Sequence, residues 1–380
     1  MNNISVPDDR KGLDPGSDLF LKEEGSGNFY CVTVFSELGR GMGCIVYKGI
    51  LHKLVEGNPL DSTVIIKELY PKGLGIKRKS QEEAELVIPV ESIDEYNVFR
   101  ERFGKRFIRF SEYAREGYRS LPEVFFYGSS NNTVYAFLCP VKGRLLSEAD
   151  HNAMSLNRTA AVMEALCRSL KGIHIKEKLC LDLKPGNILY DMEEGDLQAI
   201  VYIIDFDSVQ KLSDVRQGAG YYPFTFSWSP SEQIVAEGET GYKDSSLLGY
   251  HTDIYSLGAV LFFLLTGQAP DETDVNAIKT GTFAWKERSP AFRSAPGEAV
   301  NLIQNMEKRM LEPDPLIRRE SFKNCLSVRE LEKEFAKVYG LTVGDDAHFA
   351  PVHEKLTAVE EEVRRLREAV EELKELLTVN

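Results

Sequence analysis

The stretch of sequence that decides the fold is residues 180–187, which read C-L-D-L-K-P-G-N. It places an acid at Asp182, a cation two positions later at Lys184 and an amide five positions later than the acid at Asn187. A carboxylate, a lysine and an amide in this order put a base, a phosphate-contacting cation and a metal ligand in one loop. The stretch therefore indicates phosphoryl transfer.

A further acid follows the next apolar run. Residues 201–204 lead into Asp205, within the string I-I-D-F-D. Magnesium prefers hard oxygen ligands beside phosphates, and Asp205 together with Asn187 supplies such a pair. The second acid of the string, Asp207, fits either a further metal contact or an exposed surface position. The sequence thus predicts that Asn187 and Asp205 bind Mg²⁺.

These strings resemble the catalytic loop and the metal-binding motif of the protein kinase family, D-L-K-P-x-N and D-F-G. The resemblance implies that Asp182 is the base, that Lys184 contacts the transferring phosphate and that Asn187 is a metal ligand. Two departures indicate a divergent member, with C-L-D in place of H-R-D and D-F-D in place of D-F-G. Because the family's Arg is Leu181 here, we expect activity without an activation-segment phosphate.

Two predicted strands upstream resemble the part of the family that holds the nucleotide. Residues 29–38 run into G-R-G-M-G-C-I-V, which is similar to G-x-G-x-x-G-x-V except that its third glycine falls on Cys44. Residues 62–69 form an apolar strand with a single lysine, which needs an anionic partner and matches the family's catalytic, nucleotide-binding lysine. The nucleotide-binding residues implied here are Gly39, Gly41, Gly43, Val46 and Lys67.

Residues 91–119 carry aromatic side chains at helical spacing and predict one long helix. In the family this helix supplies a glutamate that pairs with the strand lysine, and Glu112 comes closest in position, with Glu101 behind it. Residues 131–143 predict a turn, a strand and a connector that resemble the family's hinge between two lobes. The adenine-binding groups implied by the hinge are the side chain of Leu138 and the backbones of Cys139 and Val141.

Residues farther along the chain resemble the substrate platform of protein kinases. Thr225 occupies the position that touches the base and the lysine in Ser/Thr-specific members. Glu232 is expected to form a buried ion pair with Arg318, and Asp253, at the start of an almost wholly apolar helix, matches the acid that caps the catalytic loop. His174 precedes Asp182 at the family's spacing and is interpreted as a packing residue. Together these residues favour Ser and Thr as acceptors.

The composition changes after residue 340. Residues 341–353 are predicted to be a linker, and residues 354–380 place Val and Leu on alternating three- and four-residue steps with charged residues between them. This spacing is typical of a heptad repeat and predicts a parallel homodimer through a coiled coil. The alternative is one amphipathic helix that folds back on the larger lobe. The apolar positions are Leu356, Val359, Val363, Leu366, Val370, Leu373 and Leu377.

The composition limits the classes of partner. The chain has 380 residues and a formal net charge of -13, and the absence of a long basic block argues against binding to nucleic acid or to anionic membranes. Six scattered cysteines without a C-x-x-C pair indicate reduced thiols rather than a disulfide framework or a zinc site. Neither a signal peptide nor a membrane span is expected. We therefore expect a cytoplasmic protein.

The sequence as a whole predicts an α+β, bilobed protein-kinase-like fold followed by a coiled-coil helix. The expected divisions are a flexible segment over residues 1–28, a kinase domain over 29–340 with a β-rich lobe (29–138) and a helical lobe (142–340), a linker (341–353) and a helix (354–380). The expected function is ATP- and Mg²⁺-dependent transfer of the γ-phosphate to Ser or Thr of a protein substrate. Two alternatives stay open: a pseudokinase scaffold that binds a partner through its coiled coil, and a small-molecule phosphotransferase of the aminoglycoside or choline type.

Overall fold

The structure, a computed structural model, describes most of the chain between residues 8 and 343. The residues outside the described part are 1–7, 26–27, 56–57, 80–83, 116–121, 193–197, 206–207, 219–223, 238–244 and 344–380. The predicted coiled-coil helix over residues 354–380 and the acid Asp207 therefore lie outside the described residues. The side chain of Glu112 lies outside them as well.

The smaller lobe is a closed antiparallel barrel whose strand order is β1-β2-β3-β4-β8-β7. Side chains alternate between its two faces. In β4, Val64, Ile66 and Glu68 are fully buried, whereas the intervening Lys67 is partly exposed. The strands of this lobe are β1 (Asp18–Glu23), β2 (Phe29–Arg40), β3 (Cys44–Val55), β4 (Asn58–Leu69), β5 (Lys77–Arg78), β6 (Leu86–Val87), β7 (Val124–Ser130) and β8 (Thr133–Leu138).

Strand β1 corrects the expectation of a flexible segment over residues 1–28. It pairs antiparallel with β2 along its length and with β7 at its end. Leu19 and Leu21 are fully buried in the barrel, and Phe20 between them is exposed. The string D-L-F-L-K-E thus has the period of two that is typical of a half-buried strand. The barrel closes because this strand joins β2 to β7.

Helix α1 (Ile93–Arg115) lies against β7 and β8. The predicted helix over residues 91–119 therefore begins later, after a single 3₁₀ turn at Val90–Ser92. Of its aromatic residues, Phe103 and Phe107 are buried and their ring centroids lie 4.7 Å apart. These two members of the aromatic stripe therefore pack in the core, as expected for an amphipathic helix.

The barrel interior contains a buried ion pair that the sequence did not reveal. Glu68 and Arg78 are joined by two hydrogen bonds of 2.8 and 2.9 Å. The Glu68 carboxylate also accepts hydrogen bonds from Tyr47 at 2.7 Å and from Tyr135 at 3.0 Å. Residues 72–89 are mostly polar and charged, which is typical of an exposed insertion, but Arg78 on β5 is 8% exposed. It satisfies a carboxylate that a barrel core would otherwise leave unpaired.

The larger lobe is mainly helical, so the expected bilobed α+β fold is confirmed. Its centre is α5, which is almost wholly buried and ends at Gly267 with a left-handed φ of 76°. Helix α2 packs against both α5 and α10. The helices are α2 (Leu156–Ile175), α3 (Leu212–Arg216), α4 (Ser231–Glu237), α5 (Tyr250–Thr266), α6 (Glu272–Thr280), α7 (Trp285–Arg288), α8 (Gly297–Met310), α9 (Pro315–Ser321) and α10 (Ser327–Val343). Within the described residues, none of the helices has the length and apolar character needed to cross a membrane.

Short strands of the larger lobe position the candidate catalytic residues. Strands β11 and β12 pair antiparallel, and β9 pairs with β11 on its other side. Asn187 comes directly before β11, and Asp205 follows β12 by two positions. The hairpin therefore brings these two residues to the same end. The strands are β9 (Arg144–Leu145), β10 (Lys178–Leu179), β11 (Ile188–Asp191), β12 (Ile200–Ile203) and β13 (Gln210–Lys211).

The carboxyl of Glu307 on α8 is buried in the larger lobe, and neither of its oxygens has a hydrogen-bond partner within the described residues. Burial raises its pKa well above the ordinary value of 4.5. A raised pKa means that folding favours the protonated form. The contribution of the protonated Glu307 carboxyl to the free energy of unfolding is therefore complete below the pKa of the unfolded state. It is lost as the pH rises through the pKa of the folded state.

We expect Glu307→Gln to remove this pH dependence, because an amide does not titrate. The free energy of unfolding of the wild type is expected to fall relative to the variant as the pH rises above 4.5. The difference should grow by about 1.4 kcal/mol for each pH unit between the unfolded and the folded pKa of the carboxyl. Urea unfolding at a series of pH values measures it. Profiles that stay parallel would show that the carboxyl has found a partner.

Candidate active site

The backbone of the catalytic loop is fixed from below by Asp253, at the start of α5. Its carboxylate accepts hydrogen bonds from the N–H groups of Cys180 and Leu181, both at 2.8 Å. The expected capping of this loop is therefore confirmed. His174, which was interpreted as a packing residue, also lies 2.9 Å from the carboxylate through Nε2. It is a third contact that orients Asp253.

The residue before the candidate base has a strained backbone. Leu181 has a φ of 62°, a left-handed conformation that costs a bulky residue on the order of 1–3 kcal/mol. Two contacts hold it, since Asp253 accepts its N–H and the side-chain amide of Gln233 donates to its carbonyl oxygen. Sequence reasoning missed Gln233, although it directly follows the expected ion-pair residue Glu232.

The side chain of Leu181 belongs to an apolar cluster that replaces the family's arginine. This cluster joins the catalytic loop to α3 and α4, so apolar packing anchors the segment that follows Asp205. Cys180, at the position of the family's histidine, is fully buried, and burial raises the pKa of its thiol well above the usual range. It therefore stays neutral and supplies no base. The members of the cluster are Leu179, Leu181, Leu212, Val215, Ala236 and Leu248.

The side chain of Asp182 is surrounded by donors. Lys184 Nζ lies 3.1 and 2.8 Å from its two carboxylate oxygens, and Thr225 Oγ1 donates to Oδ1 at 2.9 Å. Lys184 Nζ also donates to Thr225 Oγ1 at 2.9 Å. The three side chains form a closed triangle, so each one fixes the positions of the other two. The structure thus brings together the acid, the cation and the hydroxyl that the sequence predicted.

Asn187 is oriented by the same acid. Its Nδ2 donates to the main-chain oxygen of Asp182 at 3.0 Å and to the carboxylate at 2.8 Å. Because both partners are acceptors, the amide nitrogen must face Asp182 and the amide oxygen must face away. The Asp205 side chain retains 36% exposure. An amide oxygen and a partly exposed carboxylate are hard oxygen ligands of the kind that Mg²⁺ prefers, so Asn187 and Asp205 fit this ion.

Lys67 reaches from β4 of the smaller lobe to the metal-binding candidate of the larger lobe. Its Nζ lies 3.8 Å from Asp205 Oδ1 and donates to the carbonyl oxygen of Ile204 at 3.3 Å. Glu101 is not its partner, because it lies on the exposed face of α1 and pairs with Lys105 at 2.5 Å. The acid at Glu112, the other candidate partner, has its side chain outside the described residues. Of the two candidates, Glu101 is therefore excluded as the partner of Lys67, and Glu112 stays a prediction.

The Gly-rich loop between β2 and β3 has its carbonyl groups turned to one side. The Met42 oxygen accepts from Lys72 N–H at 2.8 Å, and the Gly43 oxygen accepts from Tyr70 N–H at 2.9 Å. Gly41 N–H donates to the Cys44 oxygen at 2.9 Å and closes the turn. The peptide bonds are trans, so each N–H is antiparallel to the preceding carbonyl. The N–H groups of Gly43 and Cys44 therefore face away from residues 70–72.

Cys44 occupies the place of the family's third glycine without backbone strain. It is the first residue of β3, pairs with Leu69 and does not have a positive φ. An added Cβ at the neighbouring Gly43 meets no atom within 4 Å among the described residues. The backbone conformation at position 44 therefore does not require glycine. The N–H of Cys44 points in the same direction as the N–H of Gly43.

The remaining nucleotide-binding candidates lie on neighbouring strands in register. Val46 is opposite Lys67, which is opposite Ala136, and Leu138 is opposite Ile65. Directly opposed residues share a face of the sheet, so Val46, Lys67 and Ala136 line one surface together. At the end of β8, Cys139 N–H donates to the Glu123 oxygen at 2.7 Å. Gly39 lies at the end of β2, opposite Val46, and Val141 lies in the connector after β8.

The predicted ion pair of the substrate platform is confirmed. Arg318 Nη2 bonds Glu232 Oε1, and both side chains are fully buried. Arg318 also donates through Nε to the main-chain oxygen of His251 at 2.9 Å and through Nη1 to the main-chain oxygen of Glu312. Its guanidinium lies 5.0 Å from the ring centroid of Tyr255. The pair ties α4, next to the candidate acceptor platform, to α5 and α9.

Comparisons with known proteins agree with this arrangement. The family model described as protein kinase domain matches residues 33–328. Serine/threonine-protein kinase D of Synechocystis sp. is 26% identical over 189 residues, which are 49% of this chain and 35% of that protein. The ovarian-specific serine/threonine-protein kinase Lok of Drosophila melanogaster is 29% identical over 199 residues, which are 49% of this chain and 38% of that protein. The chain thus spans a little over a third of the length of these curated relatives.

Solved structures with the same fold cover more of the chain. PpkA-294 in its apo form has a TM-score of 0.56 and 22% identity, and the likeness covers 79% of this chain and 95% of that one. The ROP18 kinase domain in complex with AMP-PNP and sucrose has a TM-score of 0.54 and 15% identity, with 86% of this chain and 85% of that one covered. Both likenesses concern the fold, and they agree with the two lobes described above.

Proposed function

The chain belongs to the protein kinase family, and on that premise we propose that it is an active kinase that transfers the γ-phosphate of ATP to Ser or Thr hydroxyls of a protein substrate. The observation that carries this proposal is the triangle of Asp182, Lys184 and Thr225. A base, a cation and a hydroxyl held by mutual hydrogen bonds are the parts that phosphoryl transfer requires in fixed positions.

In this proposal Asp182 accepts the proton of the substrate hydroxyl. Its side chain is 13% exposed, so a hydroxyl can reach a carboxylate that is otherwise enclosed by donors. Lys184 neutralises charge on the transferring phosphoryl group, and Thr225 fixes both side chains from the substrate side. Thr225 also holds the start of the acceptor platform, because its N–H bonds Ser229 Oγ at 3.1 Å. These roles favour Ser and Thr as acceptors.

The protein kinase family uses ATP and Mg²⁺, and we assign the ion to Asn187 and Asp205. Bound there, Mg²⁺ supplies charge neutralisation beside the phosphates of ATP. Asn187 keeps its amide oxygen turned toward that space because both hydrogens of its Nδ2 face Asp182. Lys67, 3.8 Å from Asp205, contacts the α- and β-phosphates from the other lobe.

We assign the rest of the nucleotide to the face shared by Val46 and Leu138. The N–H groups of the Gly-rich loop, which includes Gly39, Gly41 and Gly43, receive the phosphates. The adenine edge meets the connector after β8, where the N–H of Cys139 is already bonded to Glu123. Cys139 therefore contributes its carbonyl oxygen, and Val141 contributes its backbone. We also propose that Glu112 on α1 pairs with Lys67.

Two competing functions make different use of these residues. A pseudokinase scaffold is favoured by the replacements at Cys180 and Leu181, but Leu181 packs in an ordered apolar cluster and Asp253 still caps the loop. A small-molecule phosphotransferase of the aminoglycoside or choline type has no need for the buried pair of Glu232 and Arg318 beneath a peptide platform. The family match to the protein kinase domain also supports the protein kinase.

The class of acceptor is tested by incubating the full chain with γ-labelled ATP, Mg²⁺ and matched peptides that differ only in Ser, Thr or Tyr at one position. We expect label on the Ser and Thr peptides and little on the Tyr peptide. Choline and an aminoglycoside are included as small-molecule acceptors. Label on these alone would replace the protein kinase by the small-molecule phosphotransferase.

We propose that residues 354–380, beyond the linker at 341–353, form a parallel homodimeric coiled coil, and that the protein works in the cytoplasm. The support is the heptad spacing of the sequence. A charge at a central apolar position should separate the chains, so Leu366→Lys is expected to convert a dimer into a monomer. Sedimentation of the full-length variant measures this, with Glu368→Lys as the control off the apolar positions. A wild type that sediments as a monomer contradicts the coiled coil and favours a helix that folds back.

A further inference from the structure

The segment of residues 8–13 forms an N-terminal strap that crosses one end of the barrel. Leu13 is buried, and its N–H donates to Tyr47 Oη at 3.1 Å. The carbonyl oxygen of Lys11 accepts from Arg78 Nε at 3.0 Å. Both partners belong to the buried network around Glu68, so the strap is anchored to the core of the smaller lobe.

Arg10 of the strap is 5% exposed and connects the Gly-rich loop to the end of β4. Its Nη2 donates to the Gly41 oxygen at 2.8 Å, and its Nη1 donates to the Tyr70 oxygen. Asp8 fixes the guanidinium from the third side, with Arg10 Nε 2.8 Å from its Oδ1. The hydrogen bond from Arg10 lowers the pKa of Asp8 to about 2. Asp8 therefore stays ionised and holds the guanidinium in place at neutral pH.

A reciprocal bond comes from the loop itself. Arg40, between the first two loop glycines, donates through Nη1 to the carbonyl oxygen of Arg10. Arg40 is oriented in turn by Glu37, with contacts of 2.6 and 2.9 Å. The strap and the loop are thus connected in both directions by arginine side chains that donate to carbonyl oxygens. Hydrogen bonds from a charged donor are stronger than those between neutral groups.

These contacts decide the direction of the loop's N–H groups. With Arg10 on the Gly41 oxygen, three successive carbonyls, of residues 41, 42 and 43, all bind to Arg10 or to residues 70–72. Because trans peptides set N–H antiparallel to C=O, the N–H groups of residues 42, 43 and 44 all turn to the other side. Of the three carbonyls, only that of Gly41 is held by a side chain from the strap.

We propose that Arg10 is a positioning residue for nucleotide binding, which holds the Gly-rich loop so that its N–H groups meet the phosphates of ATP. This inference rests on the proposed function, because it assumes that the loop binds phosphates. It assigns the strap to binding of the phosphates and leaves binding of adenine to the strands and the connector.

The test is binding of ATP and of adenosine to the full chain, measured by calorimetry for the wild type, Arg10→Gln and Lys11→Gln. Loss of a charged hydrogen bond to the loop is expected to weaken ATP binding by about 10-fold in Arg10→Gln and to leave adenosine binding within about 2-fold. Lys11→Gln is the matched control, because it removes the same charge from the same strap. The Lys11 side chain is exposed and has no hydrogen bond or ion pair with another described residue.

Equal ATP affinity in the wild type and Arg10→Gln overturns the inference and leaves the proposed function intact. A wild type that binds ATP no more tightly than adenosine overturns both, since the loop then has no phosphate to hold. Thermal unfolding of each variant identifies a general loss of fold, which lowers both affinities together. If Arg10→Gln does not fold, Arg40→Gln removes the reciprocal bond from the partly exposed side, and the same selective loss of ATP affinity is expected.

Discussion

Replacement of Asp182 by Asn is expected to lower kcat by about 10²–10⁴-fold, the usual contribution of a positioned general base. An amide has nearly the shape of the carboxylate but cannot accept the hydroxyl proton. It also removes the negative charge that Lys184 contacts at 2.8 Å. Affinity for ATP should change little, because the nucleotide is assigned to the other lobe. The Mg²⁺ ligand Asn187 also keeps its hydrogen bond to the main-chain oxygen of residue 182. Steady-state kinetics with a Ser peptide, together with ATP calorimetry, measure both quantities.

The matched control for this variant is Asp191→Asn, the same change four positions beyond Asn187. Asp191 ends β11 and lies outside the triangle of Asp182, Lys184 and Thr225. Its kcat should stay within about 2-fold of the wild type, as for a surface substitution. Undiminished turnover in Asp182→Asn would show that another group accepts the proton, and the assignment of the base would be wrong.

Replacement of Arg318 by Met is expected to destabilise the protein by about 3–5 kcal/mol, because it leaves the buried Glu232 carboxylate without its cation. Both side chains are fully buried. Within the described part of the chain, that carboxylate accepts one further hydrogen bond, from Thr252 Oγ1 at 3.3 Å. Arg318 also satisfies the carbonyl oxygens of His251 and Glu312, which would lose a donor. Urea unfolding at neutral pH measures the loss.

Arg319→Met provides the comparison, since the neighbouring arginine is exposed and its replacement should cost less than about 0.5 kcal/mol. A double-mutant cycle with Glu232→Leu separates the pair from its surroundings. We expect the double variant to recover part of the loss, because removal of both charges leaves no unpaired ion. Equal costs for Arg318→Met and Arg319→Met would contradict the importance of the buried pair.

The sequence predicted those parts of the site whose residues are close together in the chain or belong to a spaced motif. Asp182, Lys184 and Asn187 lie in one loop, so their juxtaposition follows from local geometry. Thr225 and Asp253 were found because the resemblance gave their spacing. The orientation of the Asn187 amide could not be predicted from the sequence. It depends on hydrogen bonds to the main-chain oxygen and to the carboxylate of Asp182, and the fold sets both of them.

The contacts that the sequence did not reveal join residues that are distant in the chain. Arg10 reaches Gly41 and Tyr70, and Arg78 lies in a stretch so polar that it indicated an exposed insertion. A charged residue is normally exposed, and nothing near Arg78 in the sequence identifies Glu68 as its partner. Residues 18–23 alternate with the period of a strand, but this short stretch in acidic surroundings was expected to be flexible.

The candidate partners of Lys67 illustrate a second reason why contacts stay hidden in the sequence. Helical periodicity gives the spacing along α1 but not its rotation relative to the barrel. Glu101 therefore seemed available for Lys67, whereas the structure turns it to solvent with Lys105. Similarly, the loss of the family's arginine at Leu181 was visible in the sequence. The apolar cluster that takes its place depends on α3 and α4 and was not visible.

The most direct test of an active kinase is to follow ATP binding and phosphate transfer in the same sample of wild-type protein. The full chain is mixed with γ-labelled ATP, Mg²⁺ and a Ser/Thr acceptor protein, and label on phosphoserine and phosphothreonine is counted while bound nucleotide is measured in parallel. We predict bound ATP and label that grows with time, and no label when Mg²⁺ is chelated. Tight ATP binding with no transfer to any acceptor would contradict the account and identify the chain as a pseudokinase.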